Sequence, residues 1–184
     1  SPLGFGGREP FDMSSNVQLY AGRTSASYES VVTALRAAGA RSGDAVLAVG
    51  YSQGGAITSR LALDGPFRVV GNVTFGSPVQ ADPGDSTVQV TLRHTDDLVP
   101  ALQSGGHLDR AGAPGSIVVE RIADPPPGIA DITLGAHSMD AYGDTASLAD
   151  ASGDPRVGDV HERLAQFVGD EPAEVTTYRV QRPE

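Results

Sequence analysis

The stretch Asp44-Ala45-Val46-Leu47-Ala48-Val49-Gly50-Tyr51-Ser52-Gln53-Gly54-Gly55 decides how the rest of the chain is read. Its first seven residues form a short apolar run without alternation, which suits a strand buried on both faces, as in a parallel sheet. Residues 52 to 63 then show helical spacing through Ala56, Ile57, Leu61 and Leu63, and Asp64-Gly65-Pro66 stops them. Between strand and helix lies Gly50-x-Ser52-x-Gly54. The glycines are read as a demand for space, because side chains two residues either side of so sharp a turn would collide with neighbouring elements. The turn lifts the Ser52 hydroxyl above the sheet at a helix N-terminus, where free backbone N–H groups can stabilise an oxyanion.

Working outward, Tyr28, Val31, Val32, Leu35 and Ala38 recur at helical spacing before Gly39, with Ser25 or Ser27 as N-cap. Residues 1 to 24 are rich in Gly, Ser and Pro and read as a loop, with Val17 to Tyr20 their only strand-like stretch. Downstream, strands are expected at Arg68 to Phe75, Thr87 to His94 and Ser116 to Ile122. A short helix is expected from Gly135, and a better one is marked by Val157, Val160, Leu164, Phe167 and Val168. Thr176 to Val180 reads as an edge strand or a tail. This order predicts an α/β fold with helices on both sheet faces. One domain covers residues 1–184: an irregular lead-in over 1–27, a core over 28–168 and a tail over 169–184.

Composition narrows the function classes. The 184 residues carry 13 basic and 23 acidic side chains, a formal net charge of -10, and every basic residue is Arg. Such a field repels phosphate backbones and anionic lipid, which argues against nucleic-acid partners and polybasic membrane attachment. Without Lys, a phosphate-cradling G-x-x-x-x-G-K-[ST] loop cannot be written. Without Cys, disulfides, zinc–thiolate sites and thiol catalysis are excluded. No apolar run approaches the roughly 20 residues that span a bilayer. No signal peptide is visible in the opening residues, and compartment and oligomeric state stay open. The acidic groups Asp82-Pro83-Gly84-Asp85 and Asp150 to Asp154 lack the spaced ligand pattern of a calcium loop and read as solvated turns. No cofactor or metal is implied.

A serine on such a turn needs a base and an orienting acid, which in this architecture follow in the order Ser, Asp or Glu, His. After the third strand comes His94-Thr95-Asp96-Asp97-Leu98-Val99-Pro100, and the C-terminal tip of a sheet strand is where an α/β site is built. Asp96 and Asp97 both compete for the acid. His94 precedes them and fails the order, and His161 reads as structural on the last helix. His107 lies in a Gly-rich loop before the fourth strand, whereas His137 follows that strand at the start of a helical stretch. His137 therefore matches a base delivered after the last core strand, with His107 as the alternative.

Three segments together carry a resemblance: Gly50-Tyr51-Ser52-Gln53-Gly54-Gly55, Asp96-Asp97-Leu98-Val99-Pro100 and His137-Ser138-Met139-Asp140-Ala141-Tyr142. They look like the serine hydrolases of the α/β-hydrolase superfamily, in particular the cutinase and lipase-like branch common in actinobacteria. Cutinases use a Gly-Tyr-Ser-Gln-Gly elbow, and class 3 lipases often place their acid in an Asp-x-Val-Pro segment. The resemblance implies an α/β-hydrolase-type, mostly parallel sheet, with Ser52 as nucleophile, Asp97 as acid, His137 as base and the Gln53 backbone N–H as oxyanion donor. This chain departs from cutinases in lacking Cys and in a longer acid-to-base spacing. The superfamily usually has further strands upstream of the elbow, one of them leading to a second oxyanion donor; either the sheet here is minimal or, as favoured by the resemblance, those strands lie outside this chain.

The expected activity is ester hydrolysis on a small-molecule acyl ester. Aromatics at 5% and the absence of Trp favour small or medium acyl groups over a large lipid cleft. A non-catalytic binding module of the same fold and an acyltransferase using the same three residues are the competing readings. The loop Ala101 to Ser116 is expected either to border the acyl pocket or to serve as a connector.

Overall fold

Strands Ala45–Tyr51 (β1), Arg68–Phe75 (β2), Val88–His94 (β3) and Ile117–Arg121 (β4) form one all-parallel sheet in the order β1-β2-β3-β4. The computed structural model describes residues 25–101, 112–123, 134–168 and 174–181, with Phe11, Ser15 and Gln18. Of the segment read as a loop with a strand-like centre, Ser15 and Gln18 are helical, and the rest of Val17 to Tyr20 lies outside the described residues.

Helix α1 (Ala26–Ala37) starts at Ser25, whose Oγ accepts the Tyr28 N–H at 3.2 Å. It ends before Gly39, which takes a φ of 97° that a side chain would resist. Helix α2 (Gln53–Asp64) follows β1 directly, and the single turn α3 (Leu98–Ala101) follows β3. The stretch expected as one short helix is instead a 3-10 turn, Leu134–His137, leading into the twelve-residue α4 (Met139–Asp150). Ser138 caps α4 by accepting the Ala141 N–H at 3.1 Å. The last helix, α5 (Pro155–Ala165), begins at Asp154, whose carboxylate accepts the Arg156 N–H at 2.9 Å.

Helices cover both faces of the sheet. Ala48 packs with Tyr28, Val32, Ala56 and Ile57 under α1 and α2. Its neighbour Leu47 points the other way, meeting Leu164 of α5 across Gly71. Val90, Leu92, Tyr142 and Val160 build that second layer under α4 and α5. At Gly71 a Cβ would sit 2.7 Å from both leucines, so the glycine sets how closely α5 approaches.

Two expectations are corrected. The strand before Ser52 is not buried on both faces: among the described residues β1 is a sheet edge, and Val49 is 61% exposed. The doubly covered strand is β3, where Gln89 and Thr91 are as deeply buried as Val88 and Val90. These polar side chains bond to one another, with Asn72 Nδ2 donating to Gln89 Oε1 at 2.9 Å and Gln89 Nε2 to Thr91 at 3.0 Å. Lastly, Phe167 and Val168 leave the buried stripe, because tightened bonds to Leu164 and Ala165 carbonyls end α5 at Ala165 and expose both. Residues 174–181 form neither helix nor strand. No helix among the described residues is long and apolar enough to cross a membrane.

Candidate active site

Ser52 sits between β1 and α2 with φ 53° and ψ -122°, and it is the one non-glycine residue with positive φ among the described residues. Backbone strain of this kind costs on the order of 1–3 kcal/mol and persists only where the surroundings impose it. Here the Ser52 N–H donates to the Phe75 carbonyl at 2.9 Å, and the Ser52 carbonyl accepts the Gly55 N–H at 2.9 Å. A serine at a helix start normally turns its hydroxyl onto the first-turn N–H groups. Ser52 makes no such bond, which leaves its hydroxyl free.

The glycines around it divide the labour differently from the sequence expectation. A Cβ on Gly50 would lie 2.3 Å from the Gly54 carbonyl oxygen, and one on Gly55 would lie 2.6 Å from Ser77 Cβ. A Cβ on Gly54 would meet nothing within 4 Å. Gly50 and Gly55 therefore supply the space, and Gly54 does not. Gly50→Ala is expected to destabilise the fold by more than about 3 kcal/mol. Gly54→Ala is expected to be neutral or stabilising by up to about 1 kcal/mol through its helix preference. Urea unfolding of the two variants checks the contrast.

The freed hydroxyl meets His137. Ser52 Oγ lies 2.9 Å from His137 Nε2, and His137 Nδ1 lies 2.6 Å from Asp97 Oδ2. An ionised carboxylate only accepts, so Nδ1 carries the proton and Nε2 faces the hydroxyl as an acceptor. The three groups arrive from three places: the β1–α2 turn, the turn after β3, and the 3-10 turn before α4. All lie at the C-terminal ends of parallel strands or just beyond them. The His137 side chain is 15% exposed, whereas that of Asp97 is 1% exposed.

Asp97 is held on both oxygens. Oδ1 accepts the Val99 N–H at 2.8 Å, and Oδ2 accepts the Tyr142 hydroxyl at 2.7 Å as well as His137. Burial alone favours the neutral acid, but the bonds from His137, Val99 and Tyr142 outweigh it and hold the carboxyl below its ordinary range. Asp96 is placed elsewhere: its Oδ1 accepts the Ala123 N–H at 3.0 Å and ties this turn to the end of β4.

The other histidines divide clearly. His94 is 1% exposed, with Nδ1 2.6 Å from the Ala136 carbonyl and Nε2 2.7 Å from Thr145 Oγ1. His161 lies on the surface, 3.0 Å from Asp150. His107 lies outside the described residues, as does most of the loop Ala101 to Ser116. The acidic turns also have structural work: Asp82 Oδ1 accepts N–H groups from Gly84 and Gly112, each at 2.9 Å. No group of three or more His, Asp or Glu placed to hold a metal occurs among the described residues.

Gln53 follows Ser52 as the first residue of α2, so its backbone N–H is one of the first-turn donors that have no carbonyl partner within a helix. Its side-chain Nε2 is buried and has no hydrogen-bond partner among the described residues. Sequence reasoning assigned no role to two tyrosines that enclose the site. Tyr51 stacks on the His137 ring with centroids 5.2 Å apart and donates its hydroxyl to the His137 carbonyl. Tyr142, fully buried, touches Asp97 from behind. Both lay in the quoted motifs, but neither residue type signals by itself that its hydroxyl is spent on His137 or Asp97. Compared with protein-family models, curated proteins and solved structures, the chain matches none of them.

Proposed function

We propose that the protein is a serine hydrolase of the α/β-hydrolase type that cleaves carboxylic esters through an acyl-enzyme intermediate. The observation that carries this reading is the unbroken line from Ser52 Oγ through His137 to Asp97, at 2.9 and 2.6 Å, starting from a strained serine. In this reading Ser52 Oγ attacks the ester carbonyl carbon while its proton passes to His137 Nε2. The negative oxygen that forms is met by the Gln53 backbone N–H at the N-terminus of α2. Collapse of the tetrahedral adduct breaks the C–O bond, and His137 gives its proton to the departing alcohol. Water then repeats the sequence on the acyl-enzyme, releasing the acid and restoring Ser52. Asp97 keeps the imidazole in the required tautomer and stabilises its cation.

Exposed Leu98 and Met139, which adjoin the acid and base segments in the chain, supply apolar surface suited to a neutral acyl group rather than a charged one. The test is covalent capture. A fluorophosphonate probe is expected to form one adduct, mapped to Ser52 by peptide mass spectrometry. An intact, folded protein that gains no adduct would overturn the reading in favour of a binding module.

A further inference from the structure

Behind the reacting groups lies a second, fully buried layer. Tyr142 of α4 is 0% exposed and donates its hydroxyl to Asp97 Oδ2 at 2.7 Å, sharing that oxygen with His137. The same hydroxyl accepts the backbone N–H of His94 at 3.3 Å. The two rings stack with centroids 3.9 Å apart and planes 7° apart. On the far side, a Cβ at Gly76 would come within 2.8 Å of the Tyr142 ring, so the end of β2 closes against it. His94 in turn grips the Ala136 carbonyl, one residue before His137, and reaches Thr145, which accepts from Arg121 Nε at 2.6 Å. The ends of β3 and β4 are thereby tied through α4 to the turn that carries His137.

We infer that Tyr142 is a positioning residue: through its buried hydroxyl it fixes the Asp97 carboxylate on His137, and the stacked His94 fixes the phenol and the His137 backbone. This rests on the hydrolase reading above only for its effect on rate. Burial first, and then the bond to the Asp97 carboxylate, push the phenol far above its ordinary pKa, so it stays a neutral donor. The titratable groups that face Asp97 are His137 from the 3-10 turn, Tyr51 from β1 and Tyr142 from α4. Each hydrogen bond to a carboxylate spreads its charge over another donor. Removing the Tyr142 hydroxyl therefore concentrates charge on the oxygen that His137 uses, while freeing that oxygen to shift.

The experiment is proton NMR of the His137 Nδ1–H resonance together with the rate of fluorophosphonate capture at Ser52. In Tyr142→Phe, which keeps the ring stacked on His94, the resonance is expected to move downfield and capture to slow about tenfold. Replacing Tyr142 by 3-fluorotyrosine keeps the hydroxyl but makes it a stronger donor, and the resonance is expected to move upfield. A purely structural role predicts no such pair of opposite shifts, and an unmoved resonance in both folded variants overturns the inference. If Tyr142→Phe does not fold, the fluorotyrosine variant decides by the sign of its shift. Should wild type resist capture while the resonance still moves, the hydrolase reading fails and the hold of Tyr142 on Asp97 and His137 stands.

Discussion

Ester turnover by the Ser52→Ala variant is expected to fall by about six orders of magnitude, to the level set by binding and oxyanion stabilisation alone. The size of the loss follows from the proposed mechanism, in which Ser52 Oγ is the attacking atom and His137 and Asp97, aligned on it, have no nucleophile to activate once it is gone. Removing His137 as well should then add little, since groups that act as one unit are not additive. The fold has no reason to suffer: Oγ makes no helix-capping bond, and the backbone contacts to Phe75 and Gly55 do not involve it. A Ser52→Gly variant separates chemistry from strain. Glycine accepts a φ of 53° at little cost, so Ser52→Gly is expected to be equally inactive yet more resistant to urea by about 1 kcal/mol. A gain in stability on losing the reacting atom is what backbone strain held at a reactive residue predicts, and an ordinary turn serine would show none. Kinetics with a chromogenic short-chain ester and urea unfolding read both effects, and wild-type turnover in Ser52→Ala would refute the mechanism.

The parts of the molecule that were legible beforehand share a physical cause: each is written in local spacing. The apolar run before Ser52, the valines of β2 and β3 and the periodic faces of α1 and α2 are short-range patterns that packing then reinforces. Chain order and position at strand ends brought Ser52, Asp97 and His137 forward as candidates, and these are the three that the fold brings together. What escaped depends on contacts between distant segments. Whether β1 lies inside the sheet or at its edge is decided by which strands pair, which the run of β1 does not encode. That Gly50 and Gly55 carry the steric demand, rather than Gly54, depends on where the Gly54 carbonyl and Ser77 come to rest. Gln89 alternates with Val88 and Val90 and so resembles a solvent-facing position. It is buried because the β2–β3 polar layer supplies its partners. Tyr142 and His94 are 48 residues apart in the chain, so their stacking had no sequence signature.

The adjacent pair Asp96 and Asp97 gives the sharpest contrast between neighbours of identical chemistry. Asp97→Asn is expected to lower the rate about ten-thousandfold, whereas Asp96→Asn should stay within a few-fold of wild type. An amide at position 97 can offer an N–H to His137 Nδ1 in place of an acceptor, which sends the imidazole proton to Nε2, facing Ser52. A base already protonated on that nitrogen cannot take the hydroxyl proton. At position 96 the carboxylate accepts the Ala123 N–H rather than facing His137, and the amide oxygen of Asn can accept that bond. Stability should part the two variants as well. The folded Asp97 carboxyl lies below its ordinary value, although burial pushes it upward, because three hydrogen bonds favour the anion. Its contribution is therefore fully present above the ordinary carboxylate range and is lost as pH falls through the lower folded value. Wild type should consequently lose stability in acid relative to Asp97→Asn, and the gap between their unfolding free energies should narrow below the ordinary carboxylate range. A gap that stays constant across that window would mean that the anion is not preferentially held, and with it the orienting role of Asp97 would fall.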